Sequence, residues 1–228
     1  MKPWKSQCWV IPPEQNGAFV AAMERVLDVY KRPYDPAFPV VCMDESPRQL
    51  IGETRQPIPG APGRVQRYDY EYVRKGVYNV FLACEPLRGK RYITIRPRRT
   101  KQEWAEFIWQ LATEHYPHAQ RITLVMDNLA THTPGALYEV FPADQAKRLW
   151  ERFEFVYTPK HGSWLNMAEI ELNVLSRQCL DRRMEETEVV IREVQAWQKH
   201  RNNSNQKVDW QFTTADARIK LKRLYPKL

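Results

Sequence analysis

Apolar residues in this chain follow two rhythms: short unbroken runs, and stretches in which they recur every three or four positions. The first period belongs to buried strands and the second to helices with one packed face. Phe19, Met23, Val26 and Tyr30 stand at helical spacing within residues 12–32, and Pro33, Pro36 and Pro39 end that segment. Residues 40–44 (VVCMD) form an apolar run closed by an acid. The proline-, glycine- and charge-rich residues 46–76 read as a loop. Two strand-like runs, 77–84 and 91–96, joined around Gly89, suggest a hairpin. Residues 100–116 suit a helix with Thr100 as N-cap and Trp104, Phe107, Ile108 and Leu111 on one face. Residues 121–127 (RITLVMD) are again apolar with a terminal acid. A helical stretch with a proline break (134–153), a strand (154–158), a polar loop (PKHGSW) and helices over 165–180 and 186–201 complete the pattern.

Hairpin strands followed by alternating helix and strand imply an α/β fold, a mixed sheet with helices on its faces. The expected division is an N-terminal helical arm (1–38), a main domain (39–182), and a C-terminal helix and basic tail packed on it (183–228).

Charge narrows the choice of partner. The formal net charge is +8 and the pI about 9.3, which favours a polyanion, nucleic acid above all. No apolar run approaches the roughly 20 residues that span a bilayer, and residues 2–8 lack the apolar stretch of a signal peptide. An intracellular protein with no membrane partner is expected. Cys8, Cys42, Cys84 and Cys179 have neither zinc-ligand nor redox spacing and read as small buried hydrophobes.

The acids that close two apolar runs, Asp44 and Asp127, fall where α/β sheets gather ligands. A third, Glu169, lies early on the helix after PKHGSWLN, among the apolar Leu165, Ala168 and Leu172. Taken singly, a strand-end aspartate is often a turn former and an early-helix glutamate often only complements the dipole. Together they could hold two magnesium or manganese ions and act on a phosphodiester. Glu45 and Glu171 compete for the same roles. Glu45 should point opposite Asp44 if its strand continues, and Glu171 lies about 200° around the helix from Glu169.

At these residues the chain resembles a known family. CMDESP at 42–47, MDNLATH at 126–132 and YTPKHGSWLNMAEIELNVLSRQCL at 157–180 resemble the DDE transposases of the mariner superfamily, in particular the bacterial insertion sequence six-thirty branch. That resemblance implies a ribonuclease H-like fold with a mixed five-stranded sheet, and Asp44, Asp127 and Glu169 as catalytic metal ligands. It further implies cleavage at element ends and strand transfer into target DNA, usually at TA. Asn128, His132 and Asn166 fall inside the motifs and are expected to support the ligands or meet DNA. Implied partners are double-stranded DNA (terminal inverted repeats and target) and a second copy of the chain in the DNA complex. About 40 residues precede Asp44, where family members carry helix-turn-helix domains. A separately encoded DNA-binding half is therefore a further expected partner, and a bacterial, nucleoid-associated location is expected.

Residues 88–101 hold seven basic side chains in fourteen, a pattern that suits phosphate contact or a charged sheet edge. Arg88, Lys90, Arg91, Arg98, Arg99 and Lys101 are thus candidate DNA contacts, with Lys160, His161 and Trp164 beside the third motif. Trp164 could stack on a base or pack in the core. Competing with a transposase catalytic domain are a truncated, non-catalytic DNA-binding or inhibitory relative and a plain nuclease of the same fold.

Overall fold

The computed structural model describes residues 15–227. The prolines at 12 and 13, the extreme N-terminus and Cys8 lie outside the described residues. Five strands form one sheet in the order β3-β2-β1-β4-β5. β1 (Val40–Glu53), β2 (Tyr72–Glu85) and β3 (Lys90–Arg96) are an antiparallel meander, and β4 (Ile122–Met126) and β5 (Phe153–Tyr157) continue the sheet parallel to β1.

The helices are α1 (Gly17–Tyr30), α2 (Lys101–Gln110), α3 (Pro134–Val140), α4 (Ala143–Glu151), α5 (Met167–Leu175), α6 (Thr187–Asn203) and α7 (Thr214–Lys220). Strand alternation sends residues to two cores. Cys42, Val80, Leu82, Cys84, Val125 and Val156 pack under α1, α5, α6 and α7. Val41, Met43, Phe81, Ala83, Leu124 and Met126 pack under α2, α3 and α4. Cys42, Cys84 and Cys179 are buried free thiols, as small hydrophobes should be. α1 contributes Met23, Val26 and Leu27 to the first core, so the segment read as an entry arm is part of the same packing unit.

Several elements outrun their sequence signals. Thr100 caps α2 in a box with Glu103, and the helix widens into a π turn over Leu111–His115. The helical segment before β5 is broken at Pro142 into α3 and α4. The largest departure is β1. It does not stop at Asp44 but runs on to Glu53, paired with an equally lengthened β2. Polar residues, Pro47 and Gly52 disguise this extension as a loop. β4 pairs with β1 only at Val40–Cys42, so further along β1 has one neighbour, β2. A proline lacking its N–H is tolerated on such an open edge. A register shift between Leu50 and Ile51, opposite Gly76 at φ 147°, bends the hairpin near its end.

Candidate active site

Cys42 pairs with Val125 where β1 and β4 run parallel. Two residues further on, each chain carries an aspartate, Asp44 and Asp127, on the face that α5 covers. Strand period alone puts them there. Glu169 sits in the first turn of α5, whose N-cap is Asn166. The Asn166 side chain is buried and makes two bonds: its Oδ1 accepts from the Ala168 N–H at 3.1 Å, and its Nδ2 donates to Met43 O at 2.8 Å. One asparagine thus starts the Glu169 helix and ties it to β1 beside Asp44. The Tyr30 hydroxyl adds a second tether, donating to Leu165 O at 2.7 Å. Asn166→Ala is expected to cost about 2 kcal/mol, from a lost cap and an orphaned carbonyl. Urea denaturation would measure it, with an unchanged midpoint counting against the tether.

Asp44 feels the other two carboxylates. Burial raises the Asp44 carboxyl to about 7. The Glu45 N–H, which donates to Asp44 Oδ1 at 2.7 Å, opposes that rise, whereas the charges of Asp127 and Glu169 add to it. Among the described residues, no group of three His, Cys, Asp or Glu side chains closes around a single ion position. The donor set nonetheless fits hard divalent cations: half-buried carboxylate oxygens gathered beside one another favour positive charge between them.

The two competing acids have other duties. β1 continues, so Glu45 points to the opposite face of the sheet, where its side chain is 2% exposed and its Oε1 lies 3.0 Å from His132 Nε2. Its other oxygen, Oε2, is buried without a hydrogen bond. His132 Nδ1 lies 2.8 Å from Asp127 Oδ1, an ion-pair contact rather than a well-aligned hydrogen bond, and 3.2 Å from Asp127 O. The Trp104 ring stacks on the imidazole at 5.6 Å, and the Tyr157 hydroxyl donates to His132 O. Burial alone would lower the His132 pKa, but Asp127 and Glu45 outweigh it and raise it to about 9. A histidine cation therefore bridges Glu45 to Asp127. The motif spacing singled out His132; its carboxylate partner across the sheet carried no local signal.

Glu171 is fully buried on α5 and paired with Arg91 (2.6 and 2.9 Å) and Arg201 (3.1 and 3.2 Å), which together hold its pKa below the usual value despite burial. This overturns the expectation that Arg91 meets DNA. Its side chain is 1% exposed and its guanidinium is spent on Glu171, Gly89 O and Gln206 O.

The basic run is further divided by β3. Arg88 and Lys90 lie at the start of β3, with Arg88 beside Glu85 and Lys90 donating to Asn202 O. Exposed Arg98 and Arg99 follow the other end of β3, with Lys101 paired to Glu139. Lys160 and His161 are exposed and line, with Asn128, an open cleft of about 340 Å³ next to Asp127. His161 adopts φ 62° in this tight loop, and a Cβ on Gly162 would meet Pro159 Cγ at 2.5 Å, so the turn needs glycine there. Trp164 is no open stacking platform: it is half-buried against the first core, its ring edge toward Phe212.

Among curated proteins, none matches this sequence. Solved structures do resemble it. A Mos1 mariner paired-end complex with Mn superposes with a TM-score of 0.59 at 18% identity, over 89% of this chain and 61% of that one. A Mos1 transposase paired-end complex with the left transposon end gives 0.57 at 17%, over 86% and 58%. The Mos1 strand transfer complex gives 0.58 at 17%, again over 86% and 58%. The chain thus spans about three fifths of the length of these transposases, and the likeness establishes a ribonuclease H-like fold. The family model for the DDE superfamily endonuclease matches residues 39–191, from the start of β1 into α6. With two aspartates on adjoining strands and a glutamate on the crossing helix, this chain belongs to the DDE superfamily endonucleases.

Proposed function

We propose that this chain is the catalytic domain of a mariner-type DNA transposase of the bacterial insertion sequence six-thirty branch. It would cleave DNA at element ends and join the freed 3′-hydroxyl to target DNA at TA. The observation that carries this reading is the placement of Asp44 on β1 and Asp127 at the end of the adjoining β4, under the first turn of α5 that carries Glu169. Asp44, Asp127 and Glu169 would hold two magnesium or manganese ions, which when bound activate the attacking oxygen and stabilise the leaving one. Structures of the Mos1 mariner complex with Mn and with Mg support that choice of metal.

The protein's own contribution is alignment. Asn166 fixes the start of α5, and hence Glu169, relative to β1. The His132 cation lies 2.8 Å from Asp127 Oδ1 and so restrains the orientation of that carboxylate. Exposed Arg98, Arg99, Lys160 and His161 lie at the carboxyl end of the parallel strands and would take phosphates of double-stranded DNA, terminal repeat or target. A second copy in the DNA complex accords with the paired-end complexes formed by Mos1 transposase. A separately encoded helix-turn-helix half would supply end recognition, and a bacterial nucleoid is the corresponding location. No helix among the described residues is long and apolar enough to cross a membrane.

Nicking of a labelled duplex with manganese tests the reading. Wild type is expected to cut and Glu169→Gln to lose cutting. Continued cutting by that variant would remove Glu169 from the ligand set, and no cutting by wild type would return the chain to a binding-only role. His132→Ala is expected to lower manganese affinity and cutting together by about 10- to 100-fold. Titration calorimetry reads the first, and undiminished metal binding would leave His132 a purely structural role.

A further inference from the structure

β1 places Asp44, Ser46, Arg48 and Leu50 on one face by strand period, the face that α5 covers near its start. Arg48 differs from its peers. Every other partly or fully buried arginine among the described residues has acceptors. Arg91 and Arg201 bond Glu171, Arg96 bonds Glu106 and Gln110, Arg152 bonds the carbonyls of Tyr116 and Ala119, and Arg183 bonds Glu53. Arg48 is half-buried, makes no hydrogen bond or ion pair with any residue, and has its Nε shielded from solvent. Its cross-strand neighbour is the buried Tyr78, which can give it no counter-charge.

Desolvating a guanidinium without an acceptor is unfavourable. A fold that keeps one on the strand face that carries Asp44 stores binding capacity for an anion. Acidic side chains of the protein do not fill that role. We propose that Arg48 is a phosphate-binding residue that grips the DNA strand as it passes from Asp44 along β1. This rests on the reading of the chain as a DNA-cleaving enzyme. Four residues of extended strand separate Asp44 from Arg48, about 13 Å at roughly 3.3 Å each. At roughly 3.4 Å of rise per nucleotide, that span places the gripped phosphate up to four nucleotides from the one being cleaved. The planar guanidinium fork matches two phosphate oxygens at once.

The test uses fluorescence anisotropy of a labelled duplex over a salt series without divalent ions, on wild type, Arg48→Met and Arg48→Lys, with melting temperatures of all three. Arg48→Met is expected to bind about tenfold more weakly and to flatten the log–log salt slope by about 0.9, one phosphate's share. Its melting temperature should stay level or rise, since an unpaired half-buried charge is removed. Arg48→Lys should keep the slope while losing part of the affinity, because charge remains and the fork does not. If wild type binds and Arg48→Met matches it in affinity and slope, the Arg48 inference falls alone. A marked drop in the methionine variant's melting temperature would also overturn it, by making Arg48 structural. If wild type itself fails to bind duplex, the DNA-enzyme reading falls with it.

Discussion

Asp44→Asn is expected to abolish cleavage and, in the metal-free protein at pH 8, to raise the melting temperature by several degrees. Burial, reinforced by the charges of Asp127 and Glu169, lifts the Asp44 carboxyl from 3.8 to about 7. The folded state therefore holds this proton more tightly than the unfolded chain does. Stability from that proton is complete below the unfolded value and is lost as pH rises through the folded one. At pH 8 the wild type bears the whole penalty, on the order of 2–4 kcal/mol. Asparagine escapes it and still accepts the Glu45 N–H through Oδ1. The advantage should shrink as pH falls from 8 to 5, and calorimetric scans of both proteins over that range would show it. Cutting should fall by a factor on the order of a thousand or more, as when a group serving the transition state directly is removed. A variant that melts lower than wild type at pH 8 would refute the electrostatic account, whatever its activity.

The second large effect is expected at the pair that sequence left ambiguous. Glu171→Ala should destabilise the fold by about 3–5 kcal/mol, because Arg91 would remain buried without its partner. Arg91→Ala should cost a similar amount, and its DNA affinity, measured while still folded, should match wild type. Replacing both by methionine should recover most of the loss, since two apolar side chains of similar volume leave no stranded charge. Chemical denaturation of the singles and the double closes this cycle. A double variant no better than the singles would mean the network reaches further, to Arg201 and to the Asn202 side chain that bonds both backbone groups of Arg91.

How much was legible beforehand depends on whether a signal was local. Strand period marked Asp44 and Asp127, and it correctly sent Glu45 to the far face once the strand continued. Helix spacing separated Glu169 from Glu171. The helix over 100–116 announced its own cap and apolar face. What stayed hidden was every partnership between distant segments. No local feature of EIE at 169–171 says that its second acid is matched to Arg91 on β3 and Arg201 on α6. No local feature of RGKR says that one of its cations is interior. The 46–76 loop reading holds for 54–71 and failed at its two ends for a related reason: Pro47, Gly52 and the charges are poor strand formers in isolation, and only the pairing of β1 with β2 makes those ends strand.

The continuity of β1 has a mechanical consequence. One continuous strand begins under α1, carries Asp44 as its fifth residue and ends at the base of the β1–β2 hairpin tip. Arg183 fastens that tip, reaching Glu53 and the backbone carbonyls of Asp69 and Glu71. An extended, ladder-paired strand resists stretching far more than the bends that join it, so load applied to the tip travels lengthwise rather than dissipating in a loop. Whatever seizes the far end of this hairpin pulls on a stiff rod with Asp44 fixed partway along it.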